Sequence, residues 1–385
     1  MAENACAACG GQSLEHLVDL GASPTTTGSL HHDVDEARTV RCGRIDLVAC
    51  LDCGHVTNKA FELALVGYDE SYDNSLHFSS VFQDYADALA RRLVATYDLG
   101  GKHIVEIGSG RGDFLAALTS LTAGTGTGYD PSYTPEVARP EITLVPEYFR
   151  PEHDLRGYAL LLCRHVLEHL DDPFATLSGL RASAPGDSVF YLEVPAGEFC
   201  FGPSGLWDCI YPHVSYFCRT SLRVLVERSG FEILAQGVAF DGQFLWVEAR
   251  PSDSTPNCLA DSEVAAYLQV LRGFGRRWNS AVDKWRRQFD DLRRSAADRR
   301  SVLWGAGAKA VTFLNAVDPG ECLEVVDLNS RKWGRYLPRT GHEIKAPDSL
   351  AGEPIAEVLI TNPVYRNEIA EHLRRLGVSA PVVPI

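Results

Sequence analysis

The sequence predicts an α/β protein in which a small cysteine-rich unit precedes two doubly wound sheets. Two apolar stretches that run into glycine-rich turns, at residues 104–115 and 301–310, predict the two sheets. Strand-like and helix-like segments alternate after the first turn, and a further apolar strand opens the second, a pattern typical of parallel sheets covered by helices. The cysteine-rich unit is indicated by two matching Cys-x-x-Cys-Gly motifs near the N-terminus.

The length of 385 residues exceeds what one hydrophobic core usually supports, so several domains are expected. The predicted boundaries are 1–66 for the cysteine-rich unit, 67–250 for the central doubly wound unit, 251–300 for a linker with a charged helix, and 301–385 for a Rossmann-like unit.

Composition excludes two classes of partner. A net charge of −15 leaves no extended basic surface for a nucleic acid backbone. No apolar run approaches the ~18 residues of a membrane span, and the N-terminus has neither the basic nor the apolar region of a signal peptide. We therefore expect a cytoplasmic enzyme that acts on a small molecule, most simply as a monomer.

The first unit is expected to hold a structural zinc ion. Cys6 and Cys9 form one Cys-x-x-Cys-Gly motif, and Cys50 and Cys53 form the other. Each thiolate pair can bind a tetrahedral Zn²⁺ from one side, and four thiolates leave no open position for catalysis. A redox pair or buried free thiols are the alternatives, and Cys42 is a weaker candidate ligand.

Strand and helix patterns then alternate through the central unit. Helical spacing of apolar residues between 68 and 98 predicts one or two helices before the first glycine turn. Strands are predicted at Ile104–Ile107, Gly128–Asp130, Ala159–Cys163, Ser188–Val194 and Phe231–Val238, and helices at Asp113–Leu121, Pro173–Ala182 and Ser221–Ser229. A charged helix is predicted over roughly 262–300, before a strand at Ser301–Trp304.

The first glycine turn favours S-adenosylmethionine over a dinucleotide. Gly108, Gly110 and Gly112 let the backbone approach a ligand, while Glu106 before them and Asp113 after them would repel a phosphate and suit a cationic sulfonium. Ligands of doubly wound sheets lie beyond the carboxyl ends of the strands, where an acid after the second strand holds ribose hydroxyls. Asp130, followed by Pro131, has that position, and Glu147 after a third short strand is a candidate for the adenine. A turn without a ligand is the alternative.

The second glycine turn is less specific. Gly305, Gly307 and Lys309 follow a strand, with Asp327 about twenty residues further on, which satisfies the dinucleotide pattern. Lys309 places a cation in the turn and favours a phosphorylated ligand. NAD(P), a nucleotide sugar and a turn that only packs helix on sheet remain open.

The order of these motifs resembles the three-part S-adenosylmethionine-dependent methyltransferases that include the nucleotide-sugar C-methyltransferases of deoxysugar and antibiotic biosynthesis. The resemblance covers both cysteine motifs, residues 105–115, 163–169, 213–217, 304–309, 326–329 and 334–342. It implies a zinc domain, a class I methyltransferase domain and a C-terminal domain that helps to hold the substrate. It also implies that Arg164 lies at the cofactor and that Asn329 joins Gly305, Gly307 and Lys309 at the substrate.

Carbon methylation requires a base that forms an enolate from the acceptor. His213 is the first candidate, although Pro212 stands where characterised sugar C-methyltransferases carry a glutamate. Tyr211 and Tyr72 are candidate hydroxyl donors. His165 is a second acid/base candidate or a helix-capping contact.

Glu168 and His169 are not expected to bind a metal, because no third ligand lies near them in sequence. Three functions remain open: a C-methyltransferase of a nucleotide-linked keto-deoxysugar, an O- or N-methyltransferase of another metabolite, and a non-enzymatic nucleotide-binding protein.

Overall fold

A computed structural model describes residues 5–67, 78–133, 139–150, 153, 157–253, 262–294 and 300–385. Its strands are β1 (Leu14–Pro24), β2 (Cys42–Cys50), β3 (Val56–Asn58), β4 (His103–Ile107), β5 (Thr125–Tyr129), β6 (Ile142–Val145), β7 (Tyr158–Arg164), β8 (Val189–Pro195), β9 (Ser215–Tyr216), β10 (Phe231–Ala239), β11 (Phe244–Pro251), β12 (Arg300–Trp304), β13 (Leu323–Val326), β14 (Ile344–Lys345), β15 (Ile355–Ile360) and β16 (Val382–Pro384).

The α-helices are α1 (Val34–Arg38), α2 (Ser80–Tyr97), α3 (Asp113–Thr122), α4 (Pro173–Ser183), α5 (Gly197–Cys200), α6 (Arg219–Arg228), α7 (Ser262–Arg294), α8 (Ala308–Val317) and α9 (Arg366–Arg375). Helix α4 begins at Pro173, with the side chain of Asp172 accepting a bond from the Ala175 N–H as its N-cap. None of the described helices is long and apolar enough to cross a membrane.

The central sheet has the strand order β10-β11-β8-β7-β4-β5-β6. Its neighbours pair in parallel, except that β11 runs antiparallel to both β8 and β10. The chain winds from β4 towards β6 on one side and from β7 towards β8 on the other. The carboxyl ends of β4 and β7 therefore flank the crevice in which ligands of such sheets bind.

The C-terminal sheet is parallel throughout, with the order β14-β13-β12-β15-β16. The chain adds β13 and β14 on one side of β12, and then β15 and β16 on its other side. The turn after β12 therefore opens onto a second crevice. The α/β architecture with two doubly wound sheets, predicted from the glycine turns, is confirmed.

The N-terminal sheet is antiparallel, with the order β1-β2-β3-β9. Its last strand comes from the central unit, because Val56 pairs with Tyr216 and Thr57 with Ser215. Buried residues of β2, α7 and α8 share one hydrophobic cluster. The N-terminal sheet therefore includes a strand, β9, from the chain segment of the central unit. The domain boundaries expected from the sequence stay predictions.

Candidate active site

A cavity of about 960 Å³ lies between the carboxyl ends of the central and C-terminal sheets. Gly108, Gly110 and Asp130 line it from the central sheet, and Gly305 and Asn329 line it from the C-terminal sheet. Both glycine turns identified in the sequence therefore open into the same space.

The three glycines of the first turn have different tasks. All of them have positive φ, with values of 72° at Gly108, 52° at Gly110 and 74° at Gly112. A Cβ on Gly108 would lie 2.2 Å from a methyl group of Val166, and one on Gly112 would touch Leu144. A Cβ on Gly110 would meet nothing within 4 Å. Gly110 is thus the position where the backbone leaves room for a ligand, whereas Gly108 and Gly112 permit close packing.

The acids around this turn have separate partners. Asp130 accepts hydrogen bonds from the Gly110 N–H at 2.8 Å and from the Ser132 N–H and hydroxyl at 2.9 and 2.6 Å. Asp113 pairs with Arg139 at 2.9 Å, so its charge is compensated within the protein. Glu106 is buried, and its Oε2 has no hydrogen-bond partner among the described residues. Burial raises the pKa of Glu106 to about 8, although Arg164 opposes the rise.

Pro131 and Glu147, which the sequence also assigns to the donor site, lie in different surroundings. Pro131 lines the cavity. Glu147 is exposed and lies 3.7 Å from His153, outside the cavity lining, and it is Tyr148 and Phe149 that line the cavity in this segment. The structure therefore places the side chain of Glu147 at the surface beside His153, and its contact with the adenine stays a prediction.

A fully buried carboxylate, Glu193 at the end of β8, organises the wall next to the turn. Its Oε1 lies 3.1 Å from Nε and Nη2 of Arg164 and 3.2 Å from Nε2 of His165. Tyr191, at 2.8 Å, and Tyr85 donate hydroxyl bonds to its Oε2. Burial alone would raise the pKa of Glu193, but the Arg164 charge and the contact with His165 lower it to about 2.

His165 directly follows β7 and lines the cavity. Its backbone is left-handed, with φ of 55°, which a non-glycine residue adopts only at a cost of about 1–3 kcal/mol. The ring stands edge-on to Phe244, with 4.5 Å between centroids. The turn therefore holds this imidazole against Glu193 on one side and an aromatic ring on the other.

A second carboxylate, Glu168, lies within a group of imidazoles. Its Oε1 is 3.8 Å from Nδ1 of His165, 4.0 Å from Nε2 of His169 and 4.0 Å from Nε2 of His213. Neither oxygen of Glu168 accepts a hydrogen bond from the described residues, and burial raises its pKa to about 7. Burial lowers the pKa of His169 to about 4 and that of His213 well below its usual value. Both rings are therefore neutral near pH 7.

Of the two predicted tyrosines, Tyr211 lies away from the cavity lining. Tyr211 is fully buried outside the cavity lining, where its hydroxyl accepts a bond from the Glu62 N–H at 2.8 Å and its ring stacks on Phe61. The hydroxyl expected at the substrate is thus committed to holding the 61–62 segment. Tyr72 lies outside the described residues.

The second glycine turn repeats the backbone solution of the first. Asp327 accepts hydrogen bonds from the Ala306 N–H at 2.6 Å and from the Asn329 N–H at 2.7 Å, as Asp130 does in the central sheet. A Cβ on Gly305 or Gly307 would meet nothing within 4 Å. Asn329 is buried, and its Nδ2 has no partner among the described residues. This turn is open to a ligand and carries an unused buried donor.

Lys309, on α8 of the C-terminal unit, contacts two residues of the central unit across the cavity. Its Nζ lies 3.0 Å from Asp208 and 3.2 Å from Oε1 of Gln243. Gln243 also forms a reciprocal amide pair with Asn362, at 3.0 and 2.8 Å. Sequence reasoning missed Gln243 and Asn362, since single amides between strands carry no pattern, and it missed Glu193, which only its position at a strand end could have indicated.

The four predicted thiols form one cluster. Sγ of Cys6 lies 3.7 Å from that of Cys53, and Sγ of Cys9 lies 3.6 Å from that of Cys50. The four sulfurs all lie within 4.8 Å of one another. Tetrahedral zinc with Zn–S bonds of about 2.3 Å places its ligand atoms about 3.8 Å apart, so the cluster has the dimensions of a zinc–thiolate site. Cys42 is exposed elsewhere and takes no part in it.

Comparisons with known proteins agree with this architecture. A model described as a methyltransferase domain matches residues 77–236, and one described as a C-methyltransferase C-terminal domain matches residues 248–380. The chain is 26% identical to C-methyltransferase NovU of Streptomyces niveus over 399 residues, which cover 95% of this chain and 91% of that protein.

Solved methyltransferase structures match a smaller part of the chain. The mitomycin 7-O-methyltransferase MmcR is 22% identical with a TM-score of 0.37, over 45% of this chain and 55% of that one, so the match spans about half the length of MmcR. Magnesium protoporphyrin IX methyltransferase ChlM of Synechocystis PCC 6803, with bound S-adenosylhomocysteine, is 19% identical with a TM-score of 0.35, over 45% of this chain and 84% of that one.

The strand order, the open glycine turn and the matched domains define an S-adenosylmethionine-dependent methyltransferase. The enzyme class and the methyl donor predicted from the sequence are confirmed. In sequence, the chain matches a methyltransferase domain followed by a C-methyltransferase C-terminal domain, the two models together spanning residues 77–236 and 248–380.

Proposed function

We propose that this enzyme methylates a carbon atom of a nucleotide-linked keto-deoxysugar, next to its carbonyl group, by way of an enolate. The single observation that supports the proposal most is the shared cavity, which the donor turn of the central sheet and the open turn of the C-terminal sheet enter together. A small acceptor bound at one turn would leave the other without a use, whereas an acceptor with a nucleotide handle reaches both.

The donor end fits a cationic ligand. S-adenosylmethionine supplies a methyl group on a positively charged sulfur. The methyl donor would be held at its ribose and its charged end by three groups. These are the open backbone at Gly110, the carboxylate of Asp130 after β5 and the carboxyl oxygen of Glu106 that has no partner among the described residues. Arg164 packs over Phe114, with 4.1 Å from Cζ to the ring centroid, and closes this end.

The acceptor end fits a phosphorylated group. Gly305 and Gly307 leave the start of α8 uncovered, and Nδ2 of Asn329 is free to donate a hydrogen bond. Lys332 is buried there, with its Nζ 3.6 Å from Asp327. Backbone N–H groups at a helix start together with nearby cations are the usual receptors for phosphate.

His165 is the base in this proposal. His213, the first candidate from the sequence, has its nearest carboxylate at 4.0 Å, whereas His165 has Glu193 at 3.2 Å to fix its orientation. The imidazole of His165 takes a proton from the carbon beside the carbonyl. The electron pair of that C–H bond becomes the C=C bond of the enolate, and the π pair of the carbonyl moves to its oxygen. The enolate carbon then forms a bond to the methyl carbon as the methyl–sulfur bond breaks, with S-adenosylhomocysteine leaving and His165 releasing its proton to water.

We further propose that Cys6, Cys9, Cys50 and Cys53 bind a structural zinc ion. Strand β2 ends at Cys50, and β3 follows Cys53 closely and pairs with β9, two residues after His213. The ion would therefore hold both the N-terminal sheet and one wall of the cavity.

The test uses a set of nucleoside-diphosphate keto-deoxysugars in deuterated water. We expect deuterium at the carbon beside the carbonyl and, with the methyl donor present, a new carbon-bound methyl group by mass spectrometry and NMR. His165→Ala should lose both while keeping its affinity for S-adenosylhomocysteine. His103→Ala, at the opposite end of β4 and outside the cavity lining, is the matched control.

Three results would overturn the proposal in separate parts. A methyl group on oxygen or nitrogen removes carbon methylation. Equal activity on acceptors without a nucleotide removes the nucleotide-linked substrate. Deuterium exchange that survives in His165→Ala removes the assignment of the base.

A further inference from the structure

Three side chains in the cavity wall converge on one point without satisfying one another. They are Glu168 and His169, from the turn after β7, and His213, from the segment before β9. We propose that they bind a divalent transition-metal cation, which polarises the carbonyl oxygen of the acceptor. The binding of the ion stands on the geometry alone, while its role on the acceptor rests on the proposed function.

The distances bring these groups close to a coordination sphere. Oε1 of Glu168 lies 4.0 Å from Nε2 of His169 and 4.0 Å from Nε2 of His213, and the three ligand atoms all lie within 4.8 Å of one another. A tetrahedral ion with bonds of about 2.0–2.1 Å needs ligand atoms about 3.4 Å apart. Shifts of less than about 1 Å in each side chain would close the site.

Glu168 supplies the independent reason to expect a cation. Its side chain is buried, and neither carboxylate oxygen accepts a hydrogen bond from the described residues. A buried carboxylate without a partner is costly, since the protein replaces none of the water it gives up. The side chains of Glu193 and Asp130, by contrast, are hydrogen-bonded on both oxygens. A bound cation would satisfy a carboxylate of the cavity wall to which the described residues donate no hydrogen bond.

His169 is already oriented as a metal ligand. Its Nδ1 lies 3.0 Å from the carbonyl oxygen of Pro212, to which it can donate a hydrogen bond. Metal-binding histidines are typically held in this way, because a proton fixed on one ring nitrogen leaves the lone pair of the other for the metal. That other nitrogen, Nε2, is the one that faces Glu168.

The fold supplies the ligand that the sequence lacked. His213 is 45 positions from Glu168 along the chain, and no local spacing connects them. Strand β9 pairs with β3, and the Asn58 N–H donates to the Val214 carbonyl at 3.0 Å, so the N-terminal sheet holds His213 in place. The expectation that Glu168 and His169 have no third ligand is thus corrected by a neighbour from another segment.

The donor set limits the ion and its task. Two imidazoles and one carboxylate favour Mn²⁺, Fe²⁺, Co²⁺ or Zn²⁺ over Mg²⁺ or Ca²⁺, which prefer oxygen ligands. Three protein ligands leave positions open towards the cavity, where a carbonyl oxygen can bind and its developing negative charge is stabilised. His165 does not belong to the group of ligand atoms that all lie within 4.8 Å of one another, so it stays outside the ligand set and can act as the base.

The test uses protein that holds zinc in the Cys cluster alone. This protein is titrated with Mn²⁺, free Mn²⁺ is followed by electron paramagnetic resonance, and Zn²⁺ is then added as a competitor. We expect one Mn²⁺ per chain. Glu168→Gln, which keeps the shape of the side chain, and His213→Ala should each weaken binding more than about 100-fold. His165→Ala and the control His103→Ala should bind as the unaltered chain does. Unchanged affinity for S-adenosylhomocysteine reports that each variant is folded.

The outcomes separate this site from the proposed function. Absence of Mn²⁺ and Zn²⁺ binding beyond the Cys cluster, or equal binding by Glu168→Gln, overturns the metal site and leaves the acceptor untouched. A bound ion with no proton exchange on any keto-sugar overturns the proposed function and leaves the site. Full exchange in protein stripped of this ion, with the zinc cluster intact, overturns the role of the ion on the acceptor.

Discussion

Neutralising the buried Glu193 should destabilise the protein more than neutralising an exposed carboxylate of the same sheet. We expect Glu193→Gln to remove its charge from Arg164 while leaving a side chain of the same shape. The pKa of Glu193 falls from its ordinary value of 4.5 to about 2 on folding. At about 1.4 kcal/mol per pKa unit, that difference corresponds to about 3 kcal/mol of stability near neutral pH. Removal of one partner from a buried ion pair costs about 3–5 kcal/mol, which agrees.

The direction of the pH dependence follows from the same values. Because the folded-state pKa is the lower one, the stabilisation is complete above pH 4.5 and is lost as the pH falls towards about 2. The cost of Glu193→Gln should therefore be constant from pH 8 to 6 and should become smaller below pH 4.5. Urea unfolding followed by tryptophan fluorescence measures both variants across this range.

Glu232→Gln is the matched control in the same sheet. Glu232 pairs with Arg250 at 2.8 Å, but both side chains are about half exposed, so we expect a cost of about 0–1 kcal/mol. If Glu193→Gln lowers the free energy of unfolding no more than Glu232→Gln does, the charge of Glu193 beside Arg164 and His165 does not stabilise the fold.

Three further predictions concern the ligand sites. Gly110→Ala and the control Gly101→Ala place a Cβ in open space at a positive φ, so each should cost about 1 kcal/mol, but only Gly110→Ala should weaken S-adenosylhomocysteine binding more than about tenfold by calorimetry. Cys9→Ser should lower the zinc content by mass spectrometry and Cys42→Ser should not; a zinc content in Cys9→Ser equal to that of the unaltered chain would contradict the Cys₄ site. Asn329→Ala should weaken the binding of a nucleoside-diphosphate sugar about tenfold and leave S-adenosylhomocysteine binding unchanged, and an equal loss of both would speak against an acceptor role.

Local patterns were sufficient for most of the fold. The strand predicted at Ile104–Ile107 runs from 103 to 107, and the helix predicted at Pro173–Ala182 runs from 173 to 183, since a Pro start and an apolar face are local signals. Strand β11 was missed, although its apolar run from Phe244 is readable in the sequence. Strand β9 has two residues and exists only because β3 pairs with it, which no local pattern reports.

The site divides in the same way. Glycine turns and strand-end acids are local signals, and the residues that they single out, Gly110, Asp130 and Gly305, all line the cavity. The pairing of Glu168 with His213, and that of Gln243 with Asn362 across 119 residues, depend on how distant segments pack. A single sequence carries no local pattern that predicts such contacts.

The two ends of the cavity use one backbone design. In each sheet an aspartate after the second strand accepts the N–H of the glycine turn and the N–H two residues further on. The shared geometry therefore cannot select between donor and acceptor. The neighbouring side chains differ: the first turn adds the buried carboxyl of Glu106, whose pKa is raised to about 8, whereas the second adds the buried ammonium of Lys332, which lies 3.6 Å from Asp327. Under the proposed function, the methyl donor would occupy the first end, and the diphosphate of the acceptor would lie beside Lys332 and the start of α8 at the second.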